Sequence, residues 1–312
     1  MFGWPIPGVA DLVPGAFLER PDFATDGRDW PHRERSTFPH AAGIRWHVQL
    51  FGKGADLLLL HGTGAASHSF RGLAPLLGET FRVIVPDLPG HGFTDPLPAE
   101  RTSLPGIAEA VADLLDELEA RPVLAAGHSA GAAILARAVL DGHLELRLLV
   151  ALAGALVPLD GLPGLLFAPL ARFAAASPLV PWLFARRAAL DPNLVADLLR
   201  DTGSRLDARG LELYARLACR SGHVAGALAM MAGWDLEALA RDLPRLSVPL
   251  LLLVARADRT VPAAAGRRVA RLVPGVELRY LPGLGHLAHE ERPDVVAAAI
   301  FERARTLGIA GG

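Results

Sequence analysis

Short apolar runs recur along this chain, most of them followed at once by glycine, proline or histidine. Runs at 44–51, 56–60, 81–85, 122–126, 146–152, 248–254 and 276–281 have strand length. Several do not alternate apolar with polar positions, and that is the pattern of parallel strands covered on both faces. Between them the period changes to that of a helix. Ile107, Val111, Leu114, Leu115 and Leu118 form one apolar stripe, with Asp113, Asp116 and Glu117 largely off it. The stretches 262–272 and 293–303 each begin with proline at a plausible first helical position. Strands alternating with helices predict an α/β fold built on a doubly wound, mostly parallel sheet.

One interval breaks the alternation. From Pro158 to Leu243 there is no strand pattern, only Ala- and Leu-rich helical pieces, one of them opened by Asp191-Pro192 as N-cap and first residue. Lying between two strands, this interval is an insertion over one end of the sheet, a helical lid. The expected organisation is an irregular arm (1–35), a core (36–157 and 244–312) and a lid (158–243). Its first part is unusually apolar: between Arg147 and Arg186 the only charges are Asp160 and Arg172. A membrane span needs about 20 unbroken apolar residues, and prolines at 158, 163, 169, 178 and 181 interrupt this one. The reading is therefore a lid with a greasy surface and no transmembrane span.

Composition narrows the picture a little. A chain of 312 residues can bury a large core in one α/β domain plus an insertion. A formal net charge of −2 without an extended basic run offers nothing to nucleic acid. A single cysteine, Cys219, excludes an internal disulfide and fits a reducing compartment. Residues 1–10 lack a basic n-region and carry prolines at 5 and 7, unlike a signal peptide. A cytoplasmic protein, at most peripheral to a membrane, is expected.

The chemistry is concentrated in Gly127-His128-Ser129-Ala130-Gly131, where an apolar run turns directly into a small-residue helix. A Gly–Ser turn of five residues can arise by chance. A strand before and a helix after it make the nucleophile elbow of serine-dependent α/β hydrolases, with Ser129 as nucleophile. A serine hydroxyl needs a histidine, itself oriented by a carboxylate. In that fold the order is serine, acid, histidine, each beyond a strand end. His286, after the strand 276–281, is the base. Asp258, after 248–254, is the acid, with Asp160 beyond the preceding strand as its competitor. His61-Gly62-Thr63-Gly64 follows the strand 56–60 and matches an oxyanion loop, whose useful groups are the backbone N–H donors of Thr63 and Ala130. His61, His91 and His128 read as structural. His286, His289, Glu290 and Glu291 lack an H-E-x-x-H pattern, so no metal is expected, and no cofactor either.

The likeness extends beyond these generic motifs. Asp26-Gly-Arg-Asp-Trp-Pro, Arg45-Trp-His-Val-Gln, Asp87-Leu-Pro-Gly-His-Gly-Phe-Thr, His223-Val, Met230-Met-Ala-Gly-Trp-Asp-Leu and Gly285-His-Leu-Ala-His-Glu-Glu resemble one branch of the α/β-hydrolase fold. That branch is the magnesium-chelatase accessory protein of bacteriochlorophyll biosynthesis (BchO type). The resemblance runs from about residue 26 to 305; residues 1–25 fall outside it. It implies the α/β-hydrolase fold with a helical lid inserted after the sixth strand of that fold. It also implies a place in tetrapyrrole metabolism, with magnesium chelatase subunits as partners, but no particular reaction. An apolar lid suits a large flat ligand such as a tetrapyrrole, and equally a lipid ester. Phe167, Phe173, Trp182, Met230, Met231 and Trp234 are its candidate pocket-lining side chains.

Three functions compete at this level. One is hydrolysis of an ester or thioester with an apolar body, in the named pathway or as a general carboxylesterase. Another is a non-hydrolytic accessory that binds porphyrin or the chelatase. Dehalogenase or epoxide-opening chemistry requires a carboxylate nucleophile, and serine at 129 argues against it.

Overall fold

A computed structural model describes residues 18–158, 174 and 176–309. The apolar runs become strands of one eight-stranded sheet, ordered β1-β4-β6-β5-β7-β8-β9-β10. Its members are β1 (Ser36–Thr37), β4 (Val48–Phe51), β5 (Asp56–Leu60), β6 (Arg82–Pro86), β7 (Leu124–His128), β8 (Leu148–Leu152), β9 (Leu250–Ala255) and β10 (Glu277–Leu281). From β6 to β10 every pairing is parallel; β1 and β4 add an antiparallel edge. Residues 57–60, 124–128, 148–152 and 250–255 are buried throughout, so both faces are covered, as their unbroken apolar character requires.

The expected strand 44–51 is split. β2 (His40–Ala41) and β3 (Ile44–Arg45) form a separate antiparallel ribbon around a turn with Ala42 and Gly43 at positive φ. The intervening backbone is claimed elsewhere: Arg45 O accepts from Asp95 N–H at 2.9 Å, and His47 N–H donates to Thr94 Oγ1 at 2.8 Å. Periodicity cannot register such a competing partner.

Helices cover the two faces. α2 (Leu104–Glu117) and α3 (Ala130–Leu140) share one buried cluster with the inner side chains of β5, β7, β8 and β9. Ile107, Val111, Leu114 and Leu115 of the predicted stripe are buried on α2, while Leu118 falls at its C-cap and is half-buried; Ser103 caps the N-terminus by accepting from Gly106 N–H. On the other face lie α1 (Leu73–Leu77) and the C-terminal helix (Pro293–Thr306), numbered α11 below.

Between β8 and β9 the described residues hold helices and no strand. These are α4 (Leu179–Leu190), α5 (Leu194–Asp201), α6 (Ala208–Ala218), α7 (Ser221–Ala232) and α8 (Leu236–Asp242). α5 begins two residues after Pro192, because Asp191 Oδ1 accepts from Asn193 N–H and closes a turn first. A cluster of Ala65, Ala188, Val195, Tyr214 and Leu287 seats α4, α5 and α6 on two core loops. α9 (Ala263–Leu272) and the short α10 (Ala288–Glu291) complete the helices. Among the described residues no helix is long and apolar enough to cross a membrane.

The described part of the arm, from residue 18, has no strand or α-helix. It is nevertheless fixed. Trp30 is buried and donates its indole N–H to Ser67 Oγ at 3.2 Å, while Arg216 and Arg220 of α6 and the α6–α7 turn pair with Asp29 and Asp26.

Candidate active site

Ser129 closes β7 and precedes α3 with φ 50° and ψ −111°. A non-glycine residue at positive φ is strained, and such strain survives only where the surroundings over-determine it. Here they do. Ser129 N–H donates to Leu152 O at 2.9 Å, and Ser129 O accepts from Ala155 N–H at 3.0 Å. The flanking glycines permit the sharp turn: a Cβ on Gly127 would lie 2.4 Å from Ala132 N, and one on Gly131 2.2 Å from Leu60 O. Ser129 is left half-buried at the strand end.

Two further loops meet this turn. His286, after β10, is buried, and its Nδ1 lies 2.8 Å from Asp258 Oδ2. The other carboxylate oxygen of Asp258 accepts from the N–H groups of Thr260 and Val261, both at 2.8 Å. A carboxylate held this way is fixed in direction, and its acceptor oxygen fixes the proton of His286 on Nδ1, leaving Nε2 with its lone pair. The His286 ring lies 4.6 Å from that of His128, the residue before Ser129, and His128 Nε2–H donates to His286 O at 3.0 Å. Among the described residues Ser129 Oγ makes no hydrogen bond to His286. Such contacts are often long without substrate and tighten when it binds. Asp160, the competing acid, lies outside the described residues.

The loop after β5 forms the opposite wall. Gly62 sits so close that a Cβ there would be 3.1 Å from Ser129 Cβ. Gly62 O accepts from Ala65 N–H at 3.2 Å, closing a turn with Thr63 and Gly64 at its centre, Gly64 at φ +75°. The N–H groups of Thr63 and Ala130 have no partner among the described residues. His61 is structural as expected: its Nδ1–H donates to Gly62 O and its Nε2 accepts from Leu88 N–H, both at 2.8 Å. Asp87 anchors the following turn by accepting from Ser67 N–H, Phe93 N–H and His47 Nδ1–H. Burial would raise its pKa, but these donors hold it below the usual carboxylate range.

Buried histidines surround the site. Burial drives His61, His68, His91 and His128 downward in pKa, takes His223 to about 4 and His289 to about 3. They are neutral at pH 7. His286 therefore has no charged histidine beside it, which leaves Asp258 as the carboxylate that orients it.

A model described as "Alpha/beta hydrolase family" matches residues 57–299. Over 276 residues the chain is 38% identical to the magnesium-chelatase 30 kDa subunit of Rhodobacter capsulatus, covering 88% of this chain and 96% of that one. The chain belongs to the alpha/beta hydrolase family, in the branch of that subunit. Within the family it is also 31% identical over 255 residues to a pimeloyl-[acyl-carrier protein] methyl ester esterase of Methylococcus capsulatus, covering 78% of this chain and 94% of the esterase. Among solved structures it is similar to the epoxide hydrolase CorEH without ligand (TM-score 0.73, 22% identity, 87% of this chain and 99% of that one). It is also similar to a thermophilic esterase from Thermogutta terrifontis (TM-score 0.71, 23% identity, 87% and 98%). At such identities these likenesses bear on the fold alone.

The six candidate lining residues of this hydrolase-family chain fare differently. Phe167 and Phe173 lie outside the described residues. Met230 is buried, and its Sδ accepts from Thr63 Oγ1 at 3.4 Å. Met231 is half-buried, and Trp234 packs on the α2–α3 core cluster. Trp182 lines a cavity of about 330 Å³ with Glu19, Asp26, Arg186, Arg216 and Arg220, among whose lining residues Ser129, Asp258 and His286 do not figure.

One contact beside His286 carries almost no signal in the local sequence. The turn after α5 docks on both loops of the pair: Ser204 Oγ accepts from Leu287 N–H at 2.8 Å, and Thr202 O from Arg259 N–H at 3.0 Å. A Cβ on Gly203, at φ +86°, would lie 1.9 Å from Ala257 O. Thr-Gly-Ser between two helical patterns reads only as a turn, so its sole signal was the glycine.

Proposed function

We propose that the chain is a serine hydrolase of an ester or thioester with an apolar body, acting in bacteriochlorophyll biosynthesis alongside magnesium chelatase. The observation that carries the chemistry is the buried Asp258–His286 pair beside a strained serine turn. Ser129 Oγ attacks the substrate carbonyl while His286 Nε2 takes its proton. Asp258 keeps His286 in the tautomer that can do so and stabilises the imidazolium as it forms. The Thr63 and Ala130 N–H groups receive the developing oxyanion. His286 then returns the proton to the leaving alcohol or thiol. Water repeats the sequence on the acyl-enzyme and restores Ser129.

The helices between β8 and β9 act as a lid over this centre. Their seating on the loops of Ala65 and Leu287, either side of the nucleophile, supports that role. The pathway reading rests on full-length similarity to a magnesium-chelatase subunit, and the ester chemistry is supported by an esterase among the relatives. A tetrapyrrole or its ester is the proposed ligand, since a flat apolar body suits an apolar lid.

The test is complementation of a deletion strain. The wild-type gene is expected to restore pigment synthesis, and Ser129→Ala, folded and still binding protoporphyrin by tryptophan quenching, to fail. Restoration by Ser129→Ala makes the protein a non-hydrolytic binding accessory. Normal pigment in the deletion strain removes the chelatase reading and leaves a lidded esterase.

A further inference from the structure

Helix α7 touches the oxyanion turn and the neighbouring Gly90–Gly92 turn at three positions along one face. His223, Gly226 and Met230 are spaced i, i+3 and i+7, so their side chains share a side of the helix. His223 is 3% exposed and bridges two loops: its Nδ1 accepts from Gly92 N–H at 3.0 Å, and its Nε2–H donates to Gly64 O at 3.1 Å. Gly226 lies against the Gly90 backbone, where a Cβ would meet Gly90 O at 2.1 Å. Met230 receives the Thr63 hydroxyl. The loops so held have little stiffness of their own, since Gly64, Gly90 and Gly92 all sit at positive φ, where glycine has most freedom to lose.

We propose that His223 is the positioning residue of the oxyanion turn, holding the Gly64 peptide so that the preceding Thr63 N–H points at the reacting carbonyl oxygen. The proposal rests on the serine-hydrolase reading above. Gly62 O is already fixed from the core side by His61 and Ala65. His223 fixes the other end of the same turn from the insertion side. One imidazole must donate to Gly64 and accept from Gly92, which a neutral ring alone can do. Burial keeps it neutral, with a pKa near 4. The oxyanion donor is thus complete only while α7 is seated, which couples the insertion to catalysis as well as to substrate shape.

Because the oxyanion exists in the transition state and not in the bound ester, a misaligned donor lowers kcat and spares KM. His223→Leu loses both hydrogen bonds; His223→Gln keeps one donor and one acceptor. With p-nitrophenyl butyrate, His223→Leu is expected to lower kcat by about tenfold to a hundredfold, less than outright loss of an oxyanion donor, with KM within about twofold. Its affinity for a trifluoromethyl ketone, whose serine adduct carries an oxyanion, should fall in parallel with kcat. His223→Gln should recover most of both. Gly226→Ala, which pushes α7 from the Gly90 turn, should show the same split and carries the test if His223→Leu does not fold. A folded His223→Leu or Gly226→Ala with wild-type kcat and ketone affinity overturns the proposal while the hydrolase reading stands. So does a variant that changes only KM and melting temperature. A wild type that neither turns over ester nor binds the ketone overturns both.

Discussion

At the scale of single residues, the arrangement turns on which atoms carry protons. Asp258 accepts two backbone N–H groups on one oxygen and His286 on the other, so its effect on His286 is directional as well as electrostatic. Asp258→Asn separates the two. The amide oxygen can keep Thr260 and Val261, and the fold should survive, but the amide N–H faces His286 Nδ1 and forces the wrong tautomer. Esterase kcat is expected to fall by roughly 10⁴ with melting temperature little changed; a drop below tenfold would contradict the assigned role. That Asp258 and His286 meet on loops beside the Ser129 turn was legible from motif and chain order. The second role of His128, donating to the His286 carbonyl, was not, since a histidine at the variable position of the elbow carries no sign of its partner.

At the scale of elements, the apolar runs translated into β5 to β10 with shifts of a few residues at their ends. β5 to β9 are buried along all or nearly all of their length, which suits an unbroken apolar run; β10 is buried only at Leu281. The 44–51 run failed as one strand because Thr94 and Asp95 compete for its backbone, a long-range partner invisible to local pattern. The α5 turn is the least legible element and among the most consequential, because it braces both the acid loop and the histidine loop. Gly203→Ala there combines positive φ with a Cβ 1.9 Å from a backbone oxygen. It is expected to destabilise the protein by about 1–3 kcal/mol, read as a lower urea midpoint, and to lower kcat. Ser204→Ala leaves the buried Leu287 N–H unpaired and should cost about 1–3 kcal/mol for the same kind of reason. An unchanged midpoint in both variants would mean the turn braces nothing.

At the scale of the whole molecule, six of the buried histidines make stability depend on pH. His61, His68, His91, His128, His223 and His289 all have folded pKa values depressed below the ordinary 6.5. Their contribution is therefore fully present above pH 6.5 and is lost as pH falls toward their folded values, while the unfolded chain takes up protons. Glu290 opposes them. It is buried, which pushes its pKa up to about 7 despite Arg71 and Tyr214, so it favours the folded state below about pH 4.5 and loses that effect as pH rises toward 7. Six such histidines outnumber the one opposing carboxylate, so the net effect below about pH 6.5 is a loss of stability as the unfolded chain takes up protons. The urea midpoint should therefore fall as pH drops from about 6.5 to 5. A midpoint unchanged down to pH 5 would contradict the burial of these rings. Activation of Ser129 is tested most directly at pH 7.5, by labelling with a fluorophosphonate and mapping the adduct by peptide mass spectrometry. Rapid modification of the wild type at Ser129 is expected, none in Ser129→Ala, and labelling slowed by orders of magnitude in His286→Ala. A wild type that stays unlabelled, or an adduct on any other serine, would contradict that activation.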